Sequence, residues 1–423
     1  MINTNKKVKS AIIIMIFTLG SKLLGFLREI LIASKFGSGM DTDAFFIALT
    51  ATGIVSGFLI NTVSTTFIPV ISEVEFKEGK QGKIMHTNNM INVMFIVSLI
   101  LVIISMLGAP LIIRLLAQGF EGEQFNLTVK LARVGFPMIL FSGMIGIITG
   151  YLQSEDRFNS TAIIGMPLNF SYIIFLLFLT PVFGIKGLMA SAVVGTLFQL
   201  IAQIPEANRS GFKYKLKFNI KDKYVRKILY LSLPVLIGVA INDINVIVDK
   251  TIASTLVSGS ISALNYANKL NQLILGVFIT AITTVIFPVL SKSASEDNMV
   301  GLKRIIGYGI NIILLITIPA TVGLIILAKP IVEIAFQRGA FDTTATFMTS
   351  QALIFYSVGL SFMALRLLVD RVYYSLQDAK TPMINGAISV GFNIVLNLIL
   401  VKFMAHAGLA FATSIATTIA TIL

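Results

Sequence analysis

Cysteine is absent from this chain of 423 residues and histidine occurs only as His86 and His406, which leaves no zinc, iron–sulfur or thiol chemistry to consider. Charge is scarce as well: 13% of residues against 56% hydrophobic, with a mean hydropathy of +0.88, more apolar surface than a soluble core can hide. Large polar loops are also missing, and with them the platform that a membrane-embedded glycosyltransferase or polymerase would need for its carboxylate and metal. A cleavage site is missing too. MINTNKKVKS begins like a signal peptide, but the apolar run behind it is long, interrupted by charge and without a small-residue site, so it reads as a retained first helix. What remains is an all-α polytopic membrane protein.

Apolar runs long enough to cross about 30 Å of hydrocarbon fall at 10–34, 43–71, 88–117, 129–152, 158–180 and 185–204, then at 228–254, 261–290, 305–328, 343–374, 382–402 and from 408 to the end. That predicts about twelve helices. The last run ends at Leu423 inside ATSIATTIATIL with no polar flank, so the C-terminal lobe is a candidate for truncation. Lysine and arginine set the topology. Loops on the side of the N-terminus hold Lys6, Lys7, Lys9, Lys77, Lys80, Lys83, Arg157, Lys292, Lys303, Arg304 and Lys380, and the richest stretch is NRSGFKYKLKFNIKDKYVRK. The opposite loops are short and poor in cations, so the N-terminus is expected on the cytoplasmic side. A net charge of +13 then reflects topology and attraction to anionic lipid headgroups. Nucleic-acid binding is not expected, because the basic residues are divided among loops around membrane spans.

The two halves resemble each other. Ile32-Ala33-Ser34 returns as Ile252-Ala253-Ser254, Ser38-Gly39 as Ser258-Gly259, the proline run at Pro69 as that at Pro288, Leu152-Gln153 as Leu376-Gln377, Asn169 as Asn393, and Gly187-Leu188 as Gly408-Leu409. All pairs are 219 to 224 positions apart and colinear, the mark of an internal repeat. With six helices between copies, the expectation is two parallel pseudo-symmetric six-helix lobes, 1–206 and 228–423, joined by a basic cytoplasmic linker at 207–227, with a central cavity.

Ionisable side chains within the runs mark function when they face water, a partner or a substrate. The cations are Lys22, Arg28, Lys130, Arg133, Lys250, Lys269, Arg366 and Arg371; the acids are Glu29, Asp43, Asp243, Asp249 and Asp370. Arg366 and Asp370, four apart, are expected to pair, while Lys130, Arg133 and Arg371 can snorkel to an interface. Lys22, Arg28 and Lys269 lie deeper and together suit a substrate with several negative charges, such as a pyrophosphate. In AINDINVIVDK, Asn242, Asn245 and Asp249 share one helical stripe, and Asn393 and Asn397 stand one turn apart on a later helix. These oxygens could hold a small cation, Asp249 could carry a proton, or the amides could simply hydrogen-bond between helices.

The run SKLLGFLREILIASKFGSGMDTDAFFIA, followed by FIPVIS, SGSISALNYANKLNQLILGVFITAITTVIFPVLSKS, FQRGAFD and YYSLQDAKTPM, resembles the MurJ (MviN) lipid II flippase family of the multidrug/oligosaccharidyl-lipid/polysaccharide exporter superfamily. The resemblance covers essentially the whole chain. It implies alternating access between two six-helix lobes and movement of an undecaprenyl-pyrophosphate-linked peptidoglycan precursor, lipid II, from the inner to the outer leaflet. The family's essential cavity cations fall on Lys22, Arg28 and Lys269, and the acid of its TDAFF motif on Asp43, giving four substrate-site candidates. Its sodium site falls on Asp249, Asn393, Asn397, Thr413 and the backbone of Leu409, with Asn397 replacing a carboxylate. A sodium ion is thus the one cofactor implied. Where many relatives carry an arginine pair and an acid in helix two, this chain has Ser56, Gly57 and Asn61, and two further C-terminal helices usual in relatives are not in it.

The reading that follows is a non-enzymatic, monomeric lipid II flippase whose partners are the lipid-linked glycan and membrane lipids. The alternatives are an exporter of another undecaprenyl-linked glycan, a cation-coupled drug exporter, which should have an aromatic and acidic site, and a scaffold that only binds the lipid.

Overall fold

The computed structural model describes residues 4–158, 163–296 and 298–423; the side chains of Lys6, Lys7, Lys9, Asn61 and Asn242 lie outside the described residues. In hydrocarbon each backbone polar group needs a partner within the chain, and these apolar runs meet that need as helices. They are α1 (Thr4–Phe36), α2 (Met40–Leu107), α3 (Ala109–Leu116), α4 (Gly122–Gly135), α5 (Met138–Ser154), α6 (Gly165–Ile174) and α7 (Thr180–Arg209). After an extended stretch come α8 (Lys223–Ser254), α9 (Ser260–Ile274), α10 (Thr280–Ser295), α11 (Met299–Ile326), α12 (Ala328–Phe336), α13 (Thr343–Val358), α14 (Leu360–Ser375) and α15 (Lys380–Ile422). Short π-helical segments, Phe175–Leu179 and Leu275–Ile279, join α6 to α7 and α9 to α10.

Two of these, α2 and α15, are hairpins, and α6 with its π-helical extension and α7 makes a third. The 68 residues of α2 would reach about 100 Å if straight, roughly three times the hydrocarbon thickness. Gly79, at φ 69° and ψ −174°, breaks the helix, and the chain returns: Lys83 Nζ lies 2.7 Å from Glu75 and His86 Nε2 2.9 Å from Glu78. Residues eight apart in a straight helix would be about 12 Å apart along its axis. Gly184 (φ 53°) breaks α7, bringing Ser171 Oγ 2.8 Å from Ser191 O, and Ala405 (φ 48°) breaks α15, bringing Ser389 Oγ 3.1 Å from Ala416 O. Counted this way, the runs at 43–71 and 88–117, and at 382–402 and 408–423, are arms of single hairpins.

Elsewhere the boundaries differ from the hydropathy pattern for local reasons. The fourth run starts at Gly122 rather than 129, because its first turn, GEQFN, is polar and carries no apolar periodicity. It also breaks before Pro137, which lacks a backbone N–H. The tenth run is not one straight helix: α13 and α14 meet at Gly359 with a bend of 47°.

Packing divides the chain into two units. One holds the chain to Leu31, Ala44–Leu116 and Phe120–Asp243; the other holds Ile32–Asp43, Ala117–Gly119 and Ile244–Leu423. In the first, Phe45, Phe67, Tyr151 and Tyr172 are buried; the second has a core of Ile279, Leu290, Leu302, Ile313, Ala364 and Leu368. The repeat recurs in backbone conformation. Left-handed Asp156 and Gln377 are 221 positions apart, and so are the hairpin breaks Gly184 and Ala405.

Candidate functional site

In the N-terminal unit the polar centre is Arg28 on α1. Its Nη2 donates to Glu29 Oε1 at 2.7 Å, its Nη1 donates to Asn169 Oδ1 at 3.2 Å, and its guanidinium stacks over the Tyr172 ring at 4.9 Å. Asn169, on α6, is oriented by donating to Ser21 O at 3.1 Å. Glu29 is 3% exposed, so the pair is an ionic contact inside an apolar helix layer. Arg28 Nε and Glu29 Oε2 are buried without hydrogen-bond partners, leaving one donor and one acceptor unspent. The sequence marks Glu29 only as one of the membrane-depth acids and Asn169 only as one of the repeat matches. Adjacency of Arg28 and Glu29 could not reveal the third partner, which arrives from a helix 141 positions away.

The C-terminal unit carries the corresponding arrangement around Asp249 on α8. Asn397 Nδ2 donates to Asp249 Oδ1 at 2.5 Å and lies 2.8 Å from the Asn393 amide. With its nitrogen turned toward these oxygens, the Asn393 amide donates to Asn245 Oδ1 at 2.8 Å and Asp249 Oδ1 at 3.0 Å. Thr413, on the returning arm of α15, donates to Leu409 O at 3.0 Å, and its Oγ1 is 3.3 Å from the Asn393 amide. All five residues expected at a cation site are therefore joined in one network, with Asn245 added. Asn397 Oδ1 is buried and has no hydrogen-bond partner. An orphan amide oxygen beside a carboxylate, a hydroxyl and a backbone carbonyl is a donor set that fits a small hard cation.

The repeat gives this network a comparison. Asp249 stands 220 positions after Glu29, and Asn393 stands 224 after Asn169. Each unit thus sets a carboxylate of its first helix against an asparagine of its fifth. In the N-terminal unit a guanidinium fills the space between them; in the C-terminal unit only amides do.

Asp43, a substrate-site candidate in the sequence, lies among polar groups of the chain itself. Both of its oxygens are engaged by the chain: Oδ2 accepts from Gly259 N, and Oδ1 from Ser262 N and Ser262 Oγ, each at 2.7 Å. It caps the N-terminus of α9, where Gly259 sits at φ 92°. Ser38 Oγ reaches Gly259 O at 3.0 Å and Ser262 Oγ at 2.8 Å, while Tyr266 donates its hydroxyl to Gly37 O at 3.2 Å. Nearby, Ala340 N donates to Ser34 O at 2.8 Å and Gly119 N to Ser254 Oγ at 3.1 Å. Ser34 and Ser254 are repeat partners, and each accepts from a turn of the chain, Ser34 at its carbonyl and Ser254 at its hydroxyl. Gly339 is required here: at φ 60°, a Cβ would lie 2.2 Å from Ser34 O. We call this cluster the clasp.

Lys22 is half-buried on α1 of the N-terminal unit; Lys269 is half-buried on α9 of the C-terminal unit, within electrostatic reach of Lys250, which also feels Asp249 and Asp43. Arg366 and Asp370 form no ion pair among the described residues. The Arg366 guanidinium instead turns over Gly386, where the missing side chain leaves it room. Arg371 stacks on Phe287 at 5.3 Å and Arg133 donates to Met106 O at 3.2 Å.

Outside the spans, the turn of the α2 hairpin binds the basic segment after α7. Lys227 and Lys77 both hydrogen-bond Glu73 and hold its carboxyl down at about 2; Lys223, with His86 and Tyr224, does the same for Glu78. Asn88 Nδ2 donates to Lys213 O at 2.9 Å and Asn88 Oδ1 accepts from Lys215 N at 2.9 Å; Asn92 donates to Lys217 O at 3.0 Å and Asn89 brackets Asn219. The segment expected as a linker is thus strapped to the N-terminal unit along 213–219.

Comparison with known proteins places this geometry. The family model described as lipid II flippase MurJ matches residues 32–423. The chain belongs to the MurJ family. A probable lipid II flippase MurJ of Vibrio cholerae serotype O1 is 32% identical over 97% of this chain and 81% of its own length; one from Haemophilus influenzae is 30% identical over 95% and 82%. A solved lipid II flippase MurJ in an inward closed conformation superposes with a TM-score of 0.84 at 29% identity, covering 97% of this chain and 86% of that one. An inward-facing multidrug resistance MATE transporter of the MOP superfamily follows at 0.79 and 15% identity, covering 96% of each chain, a likeness of fold alone. This MurJ family member is a multi-pass bacterial membrane protein of the two-lobed, twelve-span MOP fold.

Proposed function

We propose that the chain is a lipid II flippase that turns its substrate from the inner to the outer leaflet by alternating access, with its N-terminus in the cytoplasm, and that it forms and breaks no covalent bond of that substrate. The observation that carries this reading is the buried Arg28–Glu29–Asn169 centre, in a chain matching the MurJ family over residues 32–423. An ionised pair inside apolar helices costs several kcal/mol of desolvation unless function retains it. Arg28 keeps one unpartnered buried N–H, a donor for a phosphate oxygen. Lys22, on the same helix, supplies further positive charge for the pyrophosphate, while the prenyl tail stays in lipid; Lys269 is the corresponding candidate of the C-terminal unit. Asp43 acts through the clasp: its three bonds, all within the C-terminal unit, hold the start of α9 in place.

Asp249, Asn393, Asn397, Thr413 and the Leu409 carbonyl would hold a sodium ion. When bound, that ion would neutralise Asp249, the role the Arg28 guanidinium plays for Glu29 in the other half. The basic loops on the side of the N-terminus support the cytoplasmic assignment. One observation favours a second reading, an exporter of a different undecaprenyl-linked glycan. Ser56, where many relatives carry arginine, is buried with its hydroxyl unpartnered, so one cationic contact to a headgroup is missing.

The test is translocation of lipid II in proteoliposomes by the wild type, Arg28→Ala and Lys269→Ala, with and without a sodium gradient or membrane potential. Loss in both variants, with folding intact, supports the basic-site flippase. A folded wild type inactive with lipid II but active with another undecaprenyl-linked glycan would replace the first reading with the second.

A further inference from the structure

The strapped basic segment has a feature that transport does not use. Its cations fall into two classes. Lys223 and Lys227 are paired with Glu78 and Glu73, whereas Lys213, Lys215 and Lys217 form no ion pair among the described residues. The backbone bonds to Asn88 and Asn92 hold these three in an extended run, in which alternate residues share a face. They rim a cavity of about 840 Å³ beside Gln81, Met85 and Asn88. Leu216 also lines a second cavity of about 410 Å³, whose walls are mainly apolar and include Phe95, Met144, Ile148, Leu200 and Ile204. Between these lysines stand Tyr214, whose hydroxyl donates to Asn92 Oδ1, and Leu216, 83% exposed; Phe218 and Ile220, just beyond, are more than half exposed. Unpaired cations alternating with exposed apolar groups at the end of membrane helices belong in a lipid headgroup layer.

We propose that this double cavity is a binding site for an anionic glycerophospholipid, with the phosphate of its headgroup on Lys213, Lys215 and Lys217 and an acyl chain in the crevice between Phe95 and Ile204. The site lies wholly within the N-terminal unit and does not depend on the flippase reading. Neither half suffices alone. A free anion would meet the lysines but leave the crevice unused, and a neutral lipid would fill the crevice but leave three unpaired charges.

The test uses the full chain in phosphatidylcholine nanodiscs and a fluorescent phosphatidylglycerol as probe. Lys213→Gln/Lys215→Gln/Lys217→Gln should weaken binding by about tenfold or more, given roughly fivefold per lysine near an anionic headgroup before exposure weakens it. Ile204→Trp, at a position 42% exposed and so tolerant of change, narrows the crevice and should weaken binding by about threefold. Arg157→Gln/Lys221→Gln/Arg226→Gln removes equal charge from residues of the same unit that line neither cavity and should change affinity by less than about twofold. Inorganic phosphate should not displace the probe. Equal loss in the control triple would show diffuse attraction and overturn the site. Displacement by inorganic phosphate, or indifference to Ile204→Trp, would leave a free-anion site and overturn the lipid.

Discussion

Asp43→Asn is the substitution that most directly probes the clasp. The wild-type carboxylate is 2% exposed and accepts three bonds of 2.7 Å from Gly259 N, Ser262 N and Ser262 Oγ. Bonds to a charged group contribute about 1.5–3 kcal/mol each, against a desolvation cost of several kcal/mol for the buried carboxylate. In asparagine one oxygen becomes an NH₂ that cannot accept, so one of the amides at Gly259 and Ser262 is orphaned and the remaining bonds become neutral. The net loss is about 2–3 kcal/mol, a shift of roughly 30- to 150-fold in the opening equilibrium. Ser262→Ala removes only one hydroxyl bond and should cost about 1 kcal/mol, roughly fivefold. Hydrogen–deuterium exchange of the peptide spanning 259–264 reads both. The expected order is wild type slowest, Ser262→Ala intermediate and Asp43→Asn fastest, with α13 unchanged. If Asp43→Asn exchanged no faster than Ser262→Ala, the carboxylate would not be what holds the clasp.

Other outcomes follow from the same geometry. Sodium, but not choline, should raise the melting temperature of the wild type and leave Asp249→Asn unmoved; at ten times the dissociation constant the stabilisation is about 1.4 kcal/mol, and a persisting sodium response in Asp249→Asn would remove the site from this network. Gly339→Ala should cost about 2 kcal/mol or more, since a Cβ at φ 60° meets Ser34 O at 2.2 Å; a variant as stable as wild type in thermal unfolding would refute the close approach. Glu73 and Glu78 have carboxyls held down near 2, below an ordinary 4.5, so their contribution to holding the strap is complete above about pH 4.5 and fades as pH falls toward 2. A spin label on Phe218→Cys, unique because the chain has no cysteine, should stay equally restrained from pH 7 to about 5 and loosen below; loosening that began above pH 6 would assign the strap to other groups.

Hydropathy and basic loops were enough to foresee an all-helical, twelve-span chain, because a membrane leaves the backbone few options and charge avoids the hydrocarbon. The repeat was legible too, since duplication preserves order and spacing: Glu29 and Asp249, like Gly184 and Ala405, occupy matching places 220 and 221 positions apart. Composition along the chain also singled out Arg28, Asp43, Asp249, Asn393 and Asn397, as polar groups in apolar runs are few. What each of them touches was not legible. Arg366 and Asp370 have helical pair spacing yet form no ion pair among the described residues, and the guanidinium lies over Gly386 on another helix. Asp43 spends both oxygens on α9, more than 200 residues later, and the basic stretch read as a linker is fixed to Asn88, Asn89 and Asn92. Periodicity and hydropathy are local properties of the chain and fix which segments become helices and which residues are costly to bury. Partners such as Asn169 for Arg28 and Asn397 for Asp249 come from distant helices, and only the packing of those helices decides which they are.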